Sequence, residues 1–148
     1  MTINPAGFEI GRYTTALSDE AAAYFQRLQS GDDAGDGATP LSALRMNFAH
    51  GDYVPLDGLP SGLRSMGGTA LSPHNGLFNG DNVLTFQGHP EFTRANVELC
   101  LEKLTERRVL PQRLPPGMDA EGVVDTLAGA VDSPVLAVVA MRFFRDGR

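Results

Sequence analysis

The sequence contains one cysteine, Cys100, and no tryptophan in 148 residues. A lone thiol cannot form a disulfide within the chain or a metal site of several cysteines, so both are excluded. Basic residues are also few: 12 Lys and Arg stand against 18 Asp and Glu, which gives a net charge of -6. Because binding to a phosphate backbone requires a basic surface, we expect no nucleic-acid partner.

Long apolar runs are absent as well. The longest run, residues 135–141, is too short to cross a bilayer, and residues 1–7 lack the basic and apolar regions of a signal peptide. The sequence therefore predicts a protein without a membrane partner, located in the cytoplasm. Hydrophobic residues at 42% and charged residues at 20% are typical of a globular protein, and the length corresponds to a single domain.

What is present is an alternation of short hydrophobic strands and amphipathic helices. Ser18 is predicted to cap the first helix, with Asp19 and Glu20 in its first turn, where the helix dipole favours acidic residues. This helix should end near Gly31. Strands are predicted over residues 8–17, 43–48, 63–66, 76–78 and 82–87, and further helices over residues 93–108, 120–128 and 134–144. This order of elements predicts a layered α/β fold.

A histidine and a glutamate follow the last predicted strand. Residues 83–92 read Val-Leu-Thr-Phe-Gln-Gly-His-Pro-Glu-Phe, which places His89 and Glu91 two residues apart with Pro90 between them. Proline favours an extended conformation at the residue before it, and side chains two apart in an extended chain point the same way. We therefore expect the Glu91 carboxylate to reach a ring nitrogen of His89, fix its tautomer and stabilise its protonated form. A histidine base and its orienting carboxylate are two members of a catalytic triad, although by spacing alone a structural or surface role is the commoner outcome.

The surroundings of this pair resemble a known family. Residues 87–92, after a hydrophobic strand and before an amphipathic helix, resemble the C-terminal signature of the class I glutamine amidotransferases. Residues 48–54 (Phe-Ala-His-Gly-Asp-Tyr-Val), with Leu-Pro at 59–60, resemble the preceding segment in the subgroup similar to the GMP-synthetase amidotransferase domain. Residues 4–11 and 132–144 resemble that subgroup's stretch after the nucleophile and its closing helix. The similarity covers nearly the whole chain in order, and its His-Pro-Glu block is the most specific part.

The resemblance implies glutamine as the small-molecule substrate and a Cys-His-Glu triad as the catalyst. In that mechanism a cysteine attacks the side-chain amide of glutamine, His89 acts as general base and then as general acid, and Glu91 orients His89. Ammonia leaves as a thioester forms and is used by a synthetase domain or subunit, which would be the partner. The segment formed by His50, Gly51 and Asp52 would line the glutamine pocket, largely through backbone groups. The resemblance implies no cofactor and no metal.

The nucleophile region of the family is missing from the sequence. The family's cysteine lies on a sharp strand-to-helix turn between small residues, and no Gly-x-Cys-x-Gly segment occurs here. Cys100 lies between Leu99 and Leu101 in a predicted helix, on the apolar side with Val97 and Leu104. A cysteine in such surroundings behaves as a small hydrophobe, so we expect Cys100 to be a core residue and not the nucleophile.

The resemblance begins just after the point where the nucleophile should lie. The expected fold is therefore an incomplete class I glutamine amidotransferase-like domain, a flavodoxin-like layered α/β fold without the N-terminal strands and the nucleophile elbow. Residues 1–110 would form the catalytic-half segment of this single domain, and residues 111–148 the linker and closing helices. We expect a fragment of a longer protein that is inactive alone and poorly soluble or partner-dependent, since missing strands expose apolar edges and faces.

Other functions are open at this point. An incomplete domain of this kind could bind glutamine or a partner subunit without turnover, and some relatives of the fold act on γ-glutamyl bonds instead. A metal site has suitable ligand types but lacks the short spacings of known metal motifs. Its candidate ligands are His50, Asp52, His74, His89 and Glu91. The 31–40 loop lacks the donor alternation and closing glutamate of a calcium loop, and its acidic residues are Asp32, Asp33 and Asp36.

Overall fold

A computed structural model describes residues 2–30, 41–55, 57, 59–110 and 113–146. The predicted 31–40 loop, with the three aspartates considered as calcium ligands, lies outside the described residues. The described residues form four helices and small antiparallel sheets, a mixed and layered α/β arrangement that confirms the predicted fold class. Within the described ranges no helix is both long and apolar enough to span a membrane.

Two long antiparallel strands form the centre of the structure. Numbered in chain order, the strands are β1 (Thr2–Ile3), β2 (Glu9–Leu17), β3 (Ala43–His50), β4 (Asp52–Tyr53), β5 (Arg64–Ser65), β6 (Gly67–Gly68) and β7 (Leu77–Phe78). Strand β2 pairs with β3 from Glu9 opposite His50 to Ala16 opposite Ala43, and with β6 at its other edge. Strand β1 pairs with β4, and β5 pairs with β7. The register therefore brings the start of β2 to the end of β3, where the His-Gly-Asp segment begins.

Local sequence signals set the helix ends. The helices are α1 (Asp19–Ser30), α2 (Arg94–Glu106), α3 (Ala120–Thr126) and α4 (Ser133–Asp146). The Ser18 hydroxyl accepts a hydrogen bond from the Ala21 N–H at 3.2 Å, which confirms the predicted cap of α1. The Thr93 N–H donates to Asn96 Oδ1 at 2.8 Å at the start of α2, and Asp119 Oδ1 accepts from the Gly122 N–H at 2.8 Å at the start of α3. These side chains satisfy backbone groups that the first turn of a helix leaves unpaired.

Two hydrophobic clusters hold the helices against the sheet. Leu44, Met46 and Phe48 alternate along β3, and they are buried with residues of α1 and α4 in the first cluster. Its fully buried members include Phe25, Leu44, Met46, Phe48, Leu136 and Val139. The second cluster joins β2 to α2 and α3 and includes Ile10, Val97, Leu101, Val123 and Leu127. The helices thus lie in layers around the β2–β3 pair, which positions the loops at its ends.

The strand predicted over residues 82–87 is not formed. Only Leu84 makes a bridge, to Phe78, and the apolar side chains of this segment are half-buried instead of buried. The Thr85 N–H bonds to the Leu77 carbonyl at 2.8 Å, and the Gln87 N–H bonds to the Asn75 carbonyl at 2.9 Å. The prediction was wrong because an apolar run specifies burial but does not supply the continuous pairing that defines a strand.

Candidate active site

His89 and Glu91 are in direct contact. His89 Nδ1 lies 2.8 Å from Glu91 Oε1, as the motif predicts. The side chains are 36% and 65% exposed, so solvent or a ligand can reach both. Within the described residues, His89 Nε2 has no hydrogen-bond partner. The ring therefore has one nitrogen held by a carboxylate and one that is open to take or give a proton.

A turn that follows His89 brings the two side chains together. The Phe92 N–H donates to the His89 carbonyl at 3.1 Å, which closes a tight turn through Pro90 and Glu91. The Phe92 ring stacks on the His89 imidazole with centroids 3.9 Å apart and planes 11° apart. His89 itself pairs with Asn47 in a β-bridge, as expected for the extended residue before a proline, and the chain turns only at Pro90 and Glu91.

This turn is anchored to β3 and to α4. The His89 N–H donates to the Asn47 carbonyl at 2.7 Å, and Asn47 Nδ2 donates to the Phe92 carbonyl at 2.8 Å. The Ser133 hydroxyl donates to the Pro90 carbonyl at 2.5 Å. Asn47 is 4% exposed, so it is fixed by its surroundings, and its backbone carbonyl and side-chain amide hold the two ends of the turn. The imidazole is therefore oriented by the backbone as well as by Glu91.

The charge on Glu91 fits the role of an orienting group. Partial burial pushes the pKa of Glu91 upward, but the hydrogen bond with His89, together with a backbone hydrogen bond and the charge of the ring, lowers it below the ordinary value of 4.5. Glu91 is consequently ionised at neutral pH. Because an ionised carboxylate only accepts hydrogen bonds, His89 Nδ1 must carry a hydrogen. In the neutral ring, Nε2 is then the unprotonated nitrogen and can act as a base.

The His50, Gly51 and Asp52 segment forms a second, more buried feature. His50 is 8% exposed, and its Nδ1 lies 2.7 Å from the Asp52 carbonyl oxygen. Its Nε2 lies 3.0 Å from Glu9 Oε2, and Glu9 is fully buried. The imidazole of His50 therefore faces the protein interior. The backbone of His89 pairs with Asn47 on the same strand, so β3 carries both segments.

Several residues of these sites have no signal in the sequence. Glu9 and Asn47 contribute through contacts across β2 and β3 that depend on strand register, which no local motif reports. A buried Glu beside Ile10 at the start of a strand is a weak signal at best. Thr69 and Asn4 belong to loops that reach Glu9 and Gly51 only after folding.

The remaining candidates lie apart from the pair or lack ligand geometry. Cys100 in α2 packs against the second hydrophobic cluster, as expected for a core residue. Its side chain is half-buried and not fully buried. His74 lies outside regular structure, as expected, but it is buried and its Nδ1 lies 2.7 Å from Ser65 Oγ. Among the residues that the structure describes, no three His, Cys, Asp or Glu side chains cluster to hold a metal ion.

Comparisons with known proteins place the fold. No protein-family model and no curated protein matches the chain. A glutamine amidotransferase from Thermotoga maritima shares the fold with a TM-score of 0.62 and 16% identity, over 95% of this chain and 53% of the solved one. The protein SMU.1228c matches with a TM-score of 0.58 and 18% identity, over 96% of this chain and 55% of the other. The chain therefore has a glutamine amidotransferase-like fold and spans about half the length of the structures that it matches.

Proposed function

We propose that this chain provides the histidine and glutamate of a class I glutamine amidotransferase site, with His89 as general base and Glu91 as the carboxylate that orients it. The observation that carries the proposal is the 2.8 Å contact between His89 Nδ1 and Glu91 Oε1 beside an open Nε2. The fold shared with a glutamine amidotransferase supports it independently. Sequence and fold thus favour the same chemistry.

The chemistry follows from the state of His89. Its unprotonated Nε2 takes the proton of a cysteine thiol as the sulfur attacks the side-chain amide of glutamine. The imidazolium that forms is stabilised by the Glu91 carboxylate and then gives its proton to the leaving ammonia. His89, again unprotonated, then acts as general base for a water molecule that hydrolyses the thioester. The anchored turn keeps the ring in one orientation through both steps.

The nucleophile in this proposal comes from outside the 148 residues. Cys100 lies in the middle of α2, half-buried among apolar side chains, and an apolar environment does not favour a thiolate. A cysteine on another segment or subunit would complete the triad, and a synthetase domain or subunit would use the ammonia. The segment at residues 50–52 is proposed to line the glutamine pocket.

A direct test compares the isolated chain with the native assembly that contains it. The purified 148-residue chain is expected to release no ammonia from glutamine. The assembly isolated from source cells with an antibody against this chain is expected to release ammonia and to be inactivated by an electrophilic glutamine analogue that alkylates the nucleophile. A stable assembly without glutaminase activity would overturn the proposal, and activity of the isolated chain would overturn the assignment of Cys100.

A non-catalytic glutamine-binding or partner-binding role is the second candidate, favoured by the position of the single cysteine in α2. It predicts that the native assembly binds glutamine in calorimetry without hydrolysing it. A γ-glutamyl hydrolase-like activity would use the same histidine and glutamate. Parallel assays with glutamine and a γ-glutamyl peptide distinguish it, since only one of the two should be turned over efficiently.

A further inference from the structure

Glu9 is a fully buried carboxylate whose contacts lead to the turn formed by residues 50–52. It lies opposite His50 in the β2–β3 pair, with its Oε2 3.0 Å from His50 Nε2, an ion-pair distance without hydrogen-bond alignment. Its Oε1 accepts a hydrogen bond from the Thr69 hydroxyl. An isolated buried carboxylate is strongly unfavourable, so these two contacts are what make its burial possible.

The hydrogen-bond partners of Thr69 and His50 require a proton between Glu9 and His50. The Thr69 oxygen already accepts the N–H groups of Leu71 and Ser72 at 3.2 and 3.1 Å, so its own hydrogen must go to Glu9 Oε1, which is unprotonated. His50 Nδ1 faces only the Asp52 carbonyl oxygen, so it must carry a hydrogen. Without a further proton, two lone pairs would face each other 3.0 Å apart at Oε2 and Nε2. One proton therefore lies in this contact.

The other side of the turn is tied back to Glu9 through Asn4. The Asn4 N–H donates to the Gly51 carbonyl at 2.9 Å, and Asn4 Nδ2 donates to Ser72 Oγ at 3.3 Å. The backbone of Ser72 reaches the Thr69 hydroxyl, which bonds to Glu9. The contacts thus form a closed ring around the turn, and apart from Thr69 its side chains are less than a tenth exposed.

We infer that Glu9 is a positioning residue: through its contact with His50, which contains one proton, and by accepting the Thr69 hydroxyl, it fixes the backbone of the turn at residues 50–52. The functional meaning of the turn, a wall of the glutamine pocket, rests on the proposed function. The Phe8 ring lies against Gly51, where an added Cβ would come 2.8 Å from Phe8 Cζ, so the turn has little freedom on that side. Glu9 supplies the restraint from the interior.

Two variants of the full chain separate positioning from space filling. Glu9→Met keeps the volume but removes both polar contacts, whereas Glu9→Gln keeps them, since its carbonyl accepts from Thr69 and its NH₂ donates to His50 Nε2. The amide of Asn4, which the Gly51 carbonyl protects, reports on the turn. We expect hydrogen exchange at Asn4 to be about tenfold faster or more in Glu9→Met, and changed by less than about threefold in Glu9→Gln.

A spectroscopic measurement needs no destabilising variant. At neutral pH, NMR spectra of the wild-type chain should show one proton in this contact, either at His50 Nε2 in the ¹⁵N shift or at the Glu9 carboxyl in the ¹³C shift, whereas His50 Nε2 of Glu9→Gln should have the shift of an unprotonated nitrogen. An unprotonated Nε2 together with an ionised Glu9 carboxyl in the wild type would overturn the inference, and so would unchanged Asn4 exchange in Glu9→Met or equal loosening in both variants. None of these measurements involves glutamine turnover, so their outcome does not depend on whether the proposed function is correct.

Discussion

At the scale of single residues, the two histidine sites differ in what holds each ring nitrogen. His89 has Nδ1 on a partly exposed carboxylate and an open Nε2, whereas His50 has acceptors at both nitrogens in the interior. An imidazole with one open nitrogen can exchange protons with a substrate. An imidazole enclosed on both sides is suited to hold structure. The geometry therefore suits His89 to the proposed proton transfer and His50 to a structural role, although both lie in similar sequence motifs.

The His89–Glu91 contact predicts how Glu91 titrates. The folded pKa of Glu91 is lowered, so its contribution to stability is present above the ordinary glutamate value and is lost as pH falls through the lowered pKa. Carboxyl ¹³C shifts should give a midpoint for Glu91 that rises in His89→Ala. The Asp132 carboxyl, whose lowered pKa depends on Arg45, is the internal control and should not move. An unchanged Glu91 midpoint would show that the contact does not govern its charge.

The raised pKa of Tyr13 predicts how the stability of the protein changes at alkaline pH. Burial, and then the charge of Glu9, raise the pKa of Tyr13 from 10.0 to about 12. Since the unfolded chain loses this proton first, the free energy of unfolding should fall as pH rises from about 10 to about 12. Ultraviolet absorbance should show a late phenolate step that becomes smaller in Tyr13→Phe, with the remainder due to Tyr24, whose pKa burial also raises. That variant should also flatten the alkaline loss of stability, and a late step of undiminished amplitude would contradict the assignment.

At the scale of elements, a short helix depends on its cap. Helix α3 has one capping side chain, Asp119, and it supports β2 through the Thr126 hydroxyl, which accepts the Arg12 N–H at 3.0 Å. Asp119→Ala should lower the free energy of unfolding by about 1 kcal/mol in urea denaturation. Asp125→Ala, at an exposed position of the same helix, should change it by less than about 0.5 kcal/mol. Equal effects of the two changes would rule out the cap as the cause.

A second prediction at this scale concerns the packing of α4 on α1. Leu136 is 1% exposed in the first hydrophobic cluster, so Leu136→Ala should cost about 2–5 kcal/mol of unfolding free energy. Leu99 is 52% exposed, and Leu99→Ala should cost less than about 0.5 kcal/mol. Denaturant midpoints of the two variants measure the difference. A comparable loss at both positions would mean that the α4 contact is not part of the stable core.

Elements with local signals could be predicted from the sequence, and those that depend on distant pairing could not. The cap at Ser18 and the apolar period of residues 93–108 predict α1 and α2 to within a few residues. The His89–Glu91 contact is local too, so it was predictable although its turn was not. The strand prediction for residues 82–87 was wrong because a strand depends on pairing with a partner along its length, and only Leu84 forms a bridge there. The Glu9–His50 pair was missed for the same reason, since only register brings it together.

At the scale of the whole molecule, the proposed function makes this chain one part of a larger catalytic unit. The chain is covered almost completely by solved amidotransferase-like structures, yet it spans about half of each. It contains a well-anchored histidine and glutamate, and its one cysteine lies in the middle of a helix. An acceptor subunit and a nucleophile are therefore the components that the proposal requires from elsewhere.

The measurement that tests this account most directly is the rate of ammonia release from glutamine by the native assembly carrying His89→Ala. We expect kcat to fall by about 100-fold or more, since a positioned general base contributes about 10²–10⁴. Glu98→Gln, an exposed carboxylate that pairs with Arg94 on α2, should leave the rate within about twofold. A His89→Ala assembly that is folded and hydrolyses glutamine at the wild-type rate would contradict the central claim.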